Sequence, residues 1–287
     1  MPTETTRLLT LHEAPHMTWK RIAAIHGIDP TFTTAYHLSA TELASCLYLQ
    51  PLQASALHRF LHSTERTPAF YREKGIEILT PFMEEYPERL RHIYDPPWVI
   101  YAKGRTNLLH SEKSLAVVGT RKLTSYGMEA LEELLPPVME RGTVIISGLA
   151  AGTDAAAHKL TIRKKGVAIA VLGAGFDHIY PRENTALFHH LSRHHLLLSE
   201  FAPDTPPRKW QFPMRNRIIS GLSDAVFITE AASRSGSLIT AYQALEQGRD
   251  VKVLPGSIFS PMSAGTNQLI KEGAAPVMSA DDLLDPE

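Results

Sequence analysis

The sequence predicts an α/β protein: a mostly parallel sheet with helices on both faces, preceded by a small all-helical domain. Three observations predict it. Six short aliphatic runs, LAVVG, TVIISG, VAIAVLG, HLLLSE, DAVFITE and DVKVLPG, recur from residue 114 onward. Helix-length segments separate them, and most end in glycine or a small polar residue. Runs this apolar suit strands buried on both faces, and their alternation with helices suits a parallel sheet.

Ahead of these runs, residues 1–64 carry a helical pattern. TWKRIAAIHGI and SATELASCLYLQPLQASALHRFLHS place apolar residues three and four apart. Ser39 with Glu42 reads as a capping box, and Pro51 ends one helix or starts the next. Residues 65–110 read as a bridge with two short strands, near 76–79 and 98–102, around an irregular proline-rich stretch. The sheet domain is expected over 65–287. Within it, Pro136 and Pro137 are expected to interrupt or kink the helix after the first strand.

Composition narrows the function. The 287 residues are 44% hydrophobic and 21% charged, with a net charge of −1. The whole chain therefore makes no electrostatic case for nucleic acid or membrane. One cysteine, Cys46, excludes a disulfide framework and a multi-cysteine zinc site. No signal-like N-terminus or membrane-length apolar run is present, so a cytoplasmic protein without membrane insertion is expected.

In parallel α/β sheets the ligand crevice lies at the carboxyl ends of the strands. The six loops there are GTRKLTSYG, SGLAAGTDAAAH, GAGFDHIYPREN, SEFAPDTPPRKWQFPMRNR, TEAASRSGSLIT and PGSIFSPMSAGTN. Small residues let a ligand approach the backbone, and free N–H groups at helix starts attract anions. GAG lacks the third glycine of a dinucleotide fingerprint, and no P-loop occurs. Arg121, Arg182, Lys209, Arg215 and Arg217 all fall in these loops. Residues 111–287 hold 18 Lys and Arg against 19 Asp and Glu, so the expectation is a local basic groove on a neutral body. Arg215, Asn216 and Arg217 sit near a predicted helix start. Cations are unfavourable there, which suggests an anionic ligand. A buried ion pair with Glu200 or Glu230 is the alternative, and both can hold.

Phe176, Tyr180, Trp210 and Phe212 are candidate base-stacking groups, with core packing as the alternative and the expected state of Phe212. Asp154, Asp177, Glu200 and Glu230 lie where catalytic acids could, but no Ser-His-Asp arrangement or nucleophile elbow is legible. Asp154 reads as a helix cap, and Ser237 and Thr240 as a cap and a pocket wall. His190 and His194 have a metal-compatible spacing, yet no carboxylate completes a site, and they read as surface histidines. No metal or cofactor is expected.

The motifs VVGTRKLTSYG, SGLAAGTDAAAH, AVLGAGFDHIYPREN, FPMRNRIISGLSDAVFITEA, SGSLITAYQALEQGRDV and LPGSIFSPMSAGTNQLIKEGA resemble, in order and spacing, the DNA-processing protein A (DprA, or Smf) family. YPERLRHIYDPPWVIYAKG resembles it too, and the N-terminal helices loosely resemble its SAM-like or helix-hairpin-helix-like domain. The resemblance implies an extended Rossmann-like domain that binds single-stranded DNA without cutting it. It implies a non-enzymatic role: protecting incoming DNA in natural transformation and loading RecA recombinase onto it. Single-strand-binding protein and other uptake machinery are further implied partners. The resemblance places Arg121, Arg182, Arg215 and Arg217 in the family's DNA site; together with the strand-end loop residues Gly119, Thr120, Ser147, Gly148, Gly175, Lys209, Asn216, Ser237 and Thr240 they make up the expected DNA-binding site. Family members act as dimers, and Leu245 and Ile270 are candidate interface contacts, with core packing as the alternative. The winged-helix domain that many relatives carry at the C-terminus is not expected. A nucleotide-processing enzyme on a similar fold is a rival reading, but the PGGxGTxxE signature is missing. A pure protein scaffold is the third.

Overall fold

The computed structural model describes residues 3–63 and 67–284. The chain forms two compact units, residues 1–85 with 95–101, and residues 86–94 with 102–287. Residues 67–85 and 95–101, expected with the sheet domain, thus belong to the helical unit. Polar ties made by aromatic side chains explain this. Tyr71 and Tyr101 both donate to Glu13 Oε1, Tyr101 at 2.6 Å. Trp19 Nε1 donates to the Pro96 carbonyl at 2.7 Å, and Trp98 Nε1 to that of Trp19 at 3.1 Å.

Within that unit the expected capping box is present, with Ser39 Oγ accepting from Glu42 N and Glu42 reaching back to Ser39 N. Pro51 starts a helix, Pro51–Ser63, where its missing N–H costs nothing.

The second unit is the α/β sheet. Its elements are β1 (Ser114–Val118), α1 (Ser125–Glu140), β2 (Val144–Ser147), α2 (Thr153–Arg163) and β3 (Ala168–Leu172). There follow α3 (Thr185–His194), β4 (Leu196–Ser199), α4 (Gln211–Leu222) and β5 (Ala225–Ile228). α5 (Gly236–Glu246), β6 (Asp250–Val253), α6 (Ala264–Lys271) and β7 (Ala275–Pro276) complete it. These strands run β4-β3-β2-β1-β5-β6-β7 within the sheet, with every pairing parallel. The six runs seen in the sequence are β1 to β6.

Every residue of β1 to β5 is buried, as a sheet covered on both faces requires. On one face Leu115, Val117, Ile145 and Phe227 pack with Leu131, Leu135 and Val138 of α1 and Leu160 of α2. α1 continues through Pro136 and Pro137, so the expected interruption is not found. Leu134, Leu135, Val138 and Met139 are buried around the two prolines, and this packing holds the last turn despite the lost N–H donors.

From β1 the chain steps toward β4, and from β5 it steps toward β7. The order therefore reverses between β1 and β5, and the carboxyl ends flanking that point form the crevice of such sheets. Among the described residues, no helix is long and apolar enough to cross a membrane.

Candidate nucleic-acid interface

An open pocket of about 520 Å³ lies at this edge. The β1 loop supplies Gly119 and Arg121, and the β2 loop Ala150 and Asp154. Tyr180, Lys209, Phe212, Arg215 and Asn216 come from the loops after β3 and β4 and from α4. Ser235, Ser237 and Thr240 come from the start of α5. Arg121 and Lys209 are exposed, so the pocket mouth carries two solvated cations.

Arg215 forms the floor. It is buried, and its Nη1 donates to the carbonyls of Gly148 and Val171, both at 2.5 Å. A Cβ on Gly148 would lie 2.3 Å from Arg215 Nη1, so glycine is required there by close approach. Burial lowers the guanidinium pKa to about 10, with Asp154 opposing and Arg121 reinforcing the shift. Arg215 therefore stays charged at neutral pH. Burial likewise pushes the Asp154 carboxyl up, while Arg215 and the amides of Ala150 and Gly148 pull it back. Asp154 does not cap α2, because Gly152 occupies that position. Its Oδ2 instead accepts from Gly148 N (3.1 Å) and Ala150 N (3.3 Å), tying the β2 loop together above Arg215.

Arg217 leaves the group. It is 4% exposed and forks onto Glu200, with N–O distances of 2.8 and 2.7 Å. The helix begins at Gln211, so neither arginine crowns its end. Residues two apart on a helix point in widely different directions. Arg215 and Ile219, four apart, face the pocket, and Arg217 faces the β4 end. The ion-pair reading thus holds for Arg217, with Glu200 as its partner, while Arg215 lies beneath the pocket. That i, i+2 spacing was the available signal in the sequence.

The other expected site residues divide similarly. Asn216 lines the pocket and bridges two helices, accepting from Arg215 Nε (3.1 Å) and donating to the Gly236 carbonyl (3.4 Å). Ser235, not Ser237, caps α5. Ser147 is fully buried and donates to the Val117 carbonyl at 2.7 Å, so it joins strands rather than facing a ligand. A Cβ on Gly175 would meet the Ala202 and Pro203 carbonyls at 2.0 and 2.3 Å, which makes its role one of packing. Thr120 accepts from Lys122 N at 3.1 Å and shapes the β1 turn. Arg182 is exposed on the loop adjoining the pocket. Asn184 pins that loop by donating to the Leu149 and Ala150 carbonyls at 3.0 and 3.3 Å.

Of the four aromatics, Phe176 is core. Phe212 is half-buried rather than core and lines the pocket with Tyr180, their ring centroids 5.4 Å apart. The Arg121 and Arg215 guanidinium carbons lie 5.7 and 6.0 Å from the Phe212 centroid. Trp210 is exposed and packs edge-on against Phe201. Tyr180, Phe212 and Asp154 are pocket residues that sequence reasoning weighed without assigning to the site. The pocket thus juxtaposes cations, hydroxyls and ring faces, a set suited to a ligand carrying both phosphates and planar groups. Among the described residues, no group of three or more His, Cys, Asp and Glu could hold a metal ion.

The family model for DNA recombination-mediator protein A matches residues 77–286. The chain belongs to that family, the DprA/Smf proteins. It is 48% identical over 229 residues to DNA processing protein DprA of Bacillus subtilis, covering 80% of this chain and 77% of that one. The X-ray structure of DprA from Streptococcus pneumoniae superposes with a TM-score of 0.84 at 34% identity, over 99% of this chain and 98% of that one. A Helicobacter pylori DprA, described for its single-stranded DNA binding mode, superposes with a TM-score of 0.66 at 32% identity, over 72% and 93% of the two chains. These DprA structures share the α/β sheet with flanking helices, and the pneumococcal match extends over the N-terminal helical region as well.

Proposed function

We propose that the pocket and its basic rim bind single-stranded DNA without strong sequence preference. In this reading the protein shields incoming strands in natural transformation and delivers them to RecA, acting by binding rather than by catalysis. One observation carries it: the Phe212 face lies beside Tyr180 and within reach of Arg121 in a pocket whose mouth is cationic. Non-specific single-strand binders combine such a phosphate track with aromatic stacking platforms. The single-stranded DNA binding mode described for the H. pylori relative supports the same reading.

Anisotropy of a labelled oligo-dT across a salt series tests it. Wild-type affinity is expected to fall as salt rises. Arg121→Ala combined with Arg182→Ala is expected to weaken binding roughly tenfold or more and to flatten the log–log slope by about 1.4, or 0.7 per phosphate. Both side chains are exposed, so the variant keeps its fold. Folded wild-type protein that binds nothing at low salt would refute the proposal.

The protein is further proposed to pair with a second copy through α5 and α6. Leu245 is 55% exposed, which removes its reading as a core residue, and Ile239 and Tyr242 are exposed on the same helix at three-residue steps. Ile270 on α6 is half-buried. Leu245→Arg is expected to give a folded monomer by light scattering. A dimer that persists would rule this surface out.

A further inference from the structure

Beside the pocket, the loop between β6 and α6 carries Ile258 and Phe259, which are 84% and 89% exposed. Single exposed apolar residues are ordinary on a protein surface, so it is the position of this adjacent pair that carries the argument. The loop is pinned at both ends. Tyr126 Oη donates to the Pro255 carbonyl at 2.6 Å, and Asn267 bonds Gly256 in both directions, at 3.2 and 2.9 Å. At the far end Ala231 N donates to the Met262 carbonyl at 2.7 Å.

The same loop adjoins the site. Thr120 Oγ1 lies 3.6 Å from Met262 Sδ, so the β1 turn that carries Arg121 touches the base of this loop. Lys122 follows on that turn, and Arg234 directly precedes the pocket residue Ser235. Both are exposed. Glu230 is the one acid in the segments 119–127, 229–240 and 255–267. It is only 2% exposed, and its carboxylate accepts from Thr124 N and Oγ1 at 2.9 and 2.7 Å. The solvated charges within these three segments are therefore positive, and the last segment carries an uncharged apolar tip.

We propose that the Ile258–Phe259 tip is a second base-stacking station, reached by single-stranded DNA that leaves the pocket across Lys122 and Arg234. The inference rests on the single-strand reading of the pocket and extends it. The cations attract phosphates, whereas the tip offers a π-face that any base can use. Lys122 adjoins Arg121 and Arg234 adjoins Ser235, so these cations continue the pocket's own rim, which favours a strand already seated there over a protein that docks separately.

The test uses the full chain with dT6, long enough to fill the pocket alone, and dT20. Phe259→Ala and the double variant Ile258→Ala/Phe259→Ala are expected to bind dT6 as the wild type does. They are expected to bind dT20 roughly five- to tenfold more weakly, the low end of what loss of one stacked base produces. A dT20 carrying 5-iodouracil is expected to cross-link to Phe259 in the wild type. Variants that match the wild type on both lengths, with no cross-link at the tip, overturn this inference alone. Wild-type protein that binds neither oligonucleotide overturns it together with the pocket reading. A change of oligomeric state in the variants would show that a second copy of the chain covers the tip, and overturns it as well.

Discussion

Arg217→Ala is expected to destabilise the protein by about 3–5 kcal/mol, the usual cost of breaking a buried ion pair by removing one partner. The variant leaves Glu200, itself buried, with its carboxylate stripped of two guanidinium hydrogen bonds. Glu200 directly follows β4, and Arg217 lies on α4, so the pair closes the base of the excursion that carries Lys209, Trp210 and Phe212. Urea denaturation of the variant beside Arg121→Ala measures the effect. The exposed Arg121 should leave the midpoint within experimental scatter of the wild type. Near-equal midpoints for the two variants would mean that the Arg217–Glu200 pair contributes little. The contrast separates two arginines that the sequence presents as one basic cluster.

Acidification is expected to weaken the fold before the carboxylates titrate. His158, on α2, is fully buried with neither ring nitrogen hydrogen-bonded. Burial lowers its pKa to about 3, with positive charge on His195 and Arg215 adding to the shift. The unfolded imidazole takes up its proton near pH 6.5. Above that pH both states are neutral and the stability is complete. As pH falls from about 6.5 toward 3, the unfolded chain binds a proton that the native one refuses, and stability declines. The loss expected from this residue is about 2–4 kcal/mol by the bottom of that window. Unfolding curves at pH 7.5 and 5.5 should differ in the wild type and differ less in His158→Leu, which has no proton to gain. An equal loss in the variant would assign the acid sensitivity elsewhere. His195 is pushed the same way, to about 4, by burial and then by its neighbours His190, Arg105 and His194, so some decline should remain in the variant.

The division between these residues marks what could be read from the sequence. The strands were legible because a parallel strand covered on both faces is a near-continuous apolar run, and β1 to β5 are apolar except for a terminal serine in β1, β2 and β4. The loops at their ends were legible because glycines and hydroxyl residues recur where strands turn into helices. Arg121 and Lys209 could be placed at the pocket because they sit on loops at the ligand edge of the sheet. For Arg217 the sequence leaves the pocket and an ion pair with Glu200 or Glu230 both open, and only the fold, which sets Glu200 against it, decides. Gly175 and Ser147 were misassigned for a similar reason. Each looks like a ligand-binding small residue, and only the positions of Ala202 and Val117 show that each packs against backbone. Phe212 was expected in the core because it adjoins a proline and an aliphatic helix face. The structure turns it half outward, against Tyr180 from another loop. Local propensity and period determine elements and the edge where loops gather, since both depend on residues within a few positions of one another. Which side chain meets solvent and which meets a buried partner is decided by pairings between distant segments. In this protein that tertiary choice separates Arg215 beneath the pocket from Arg217 in its ion pair.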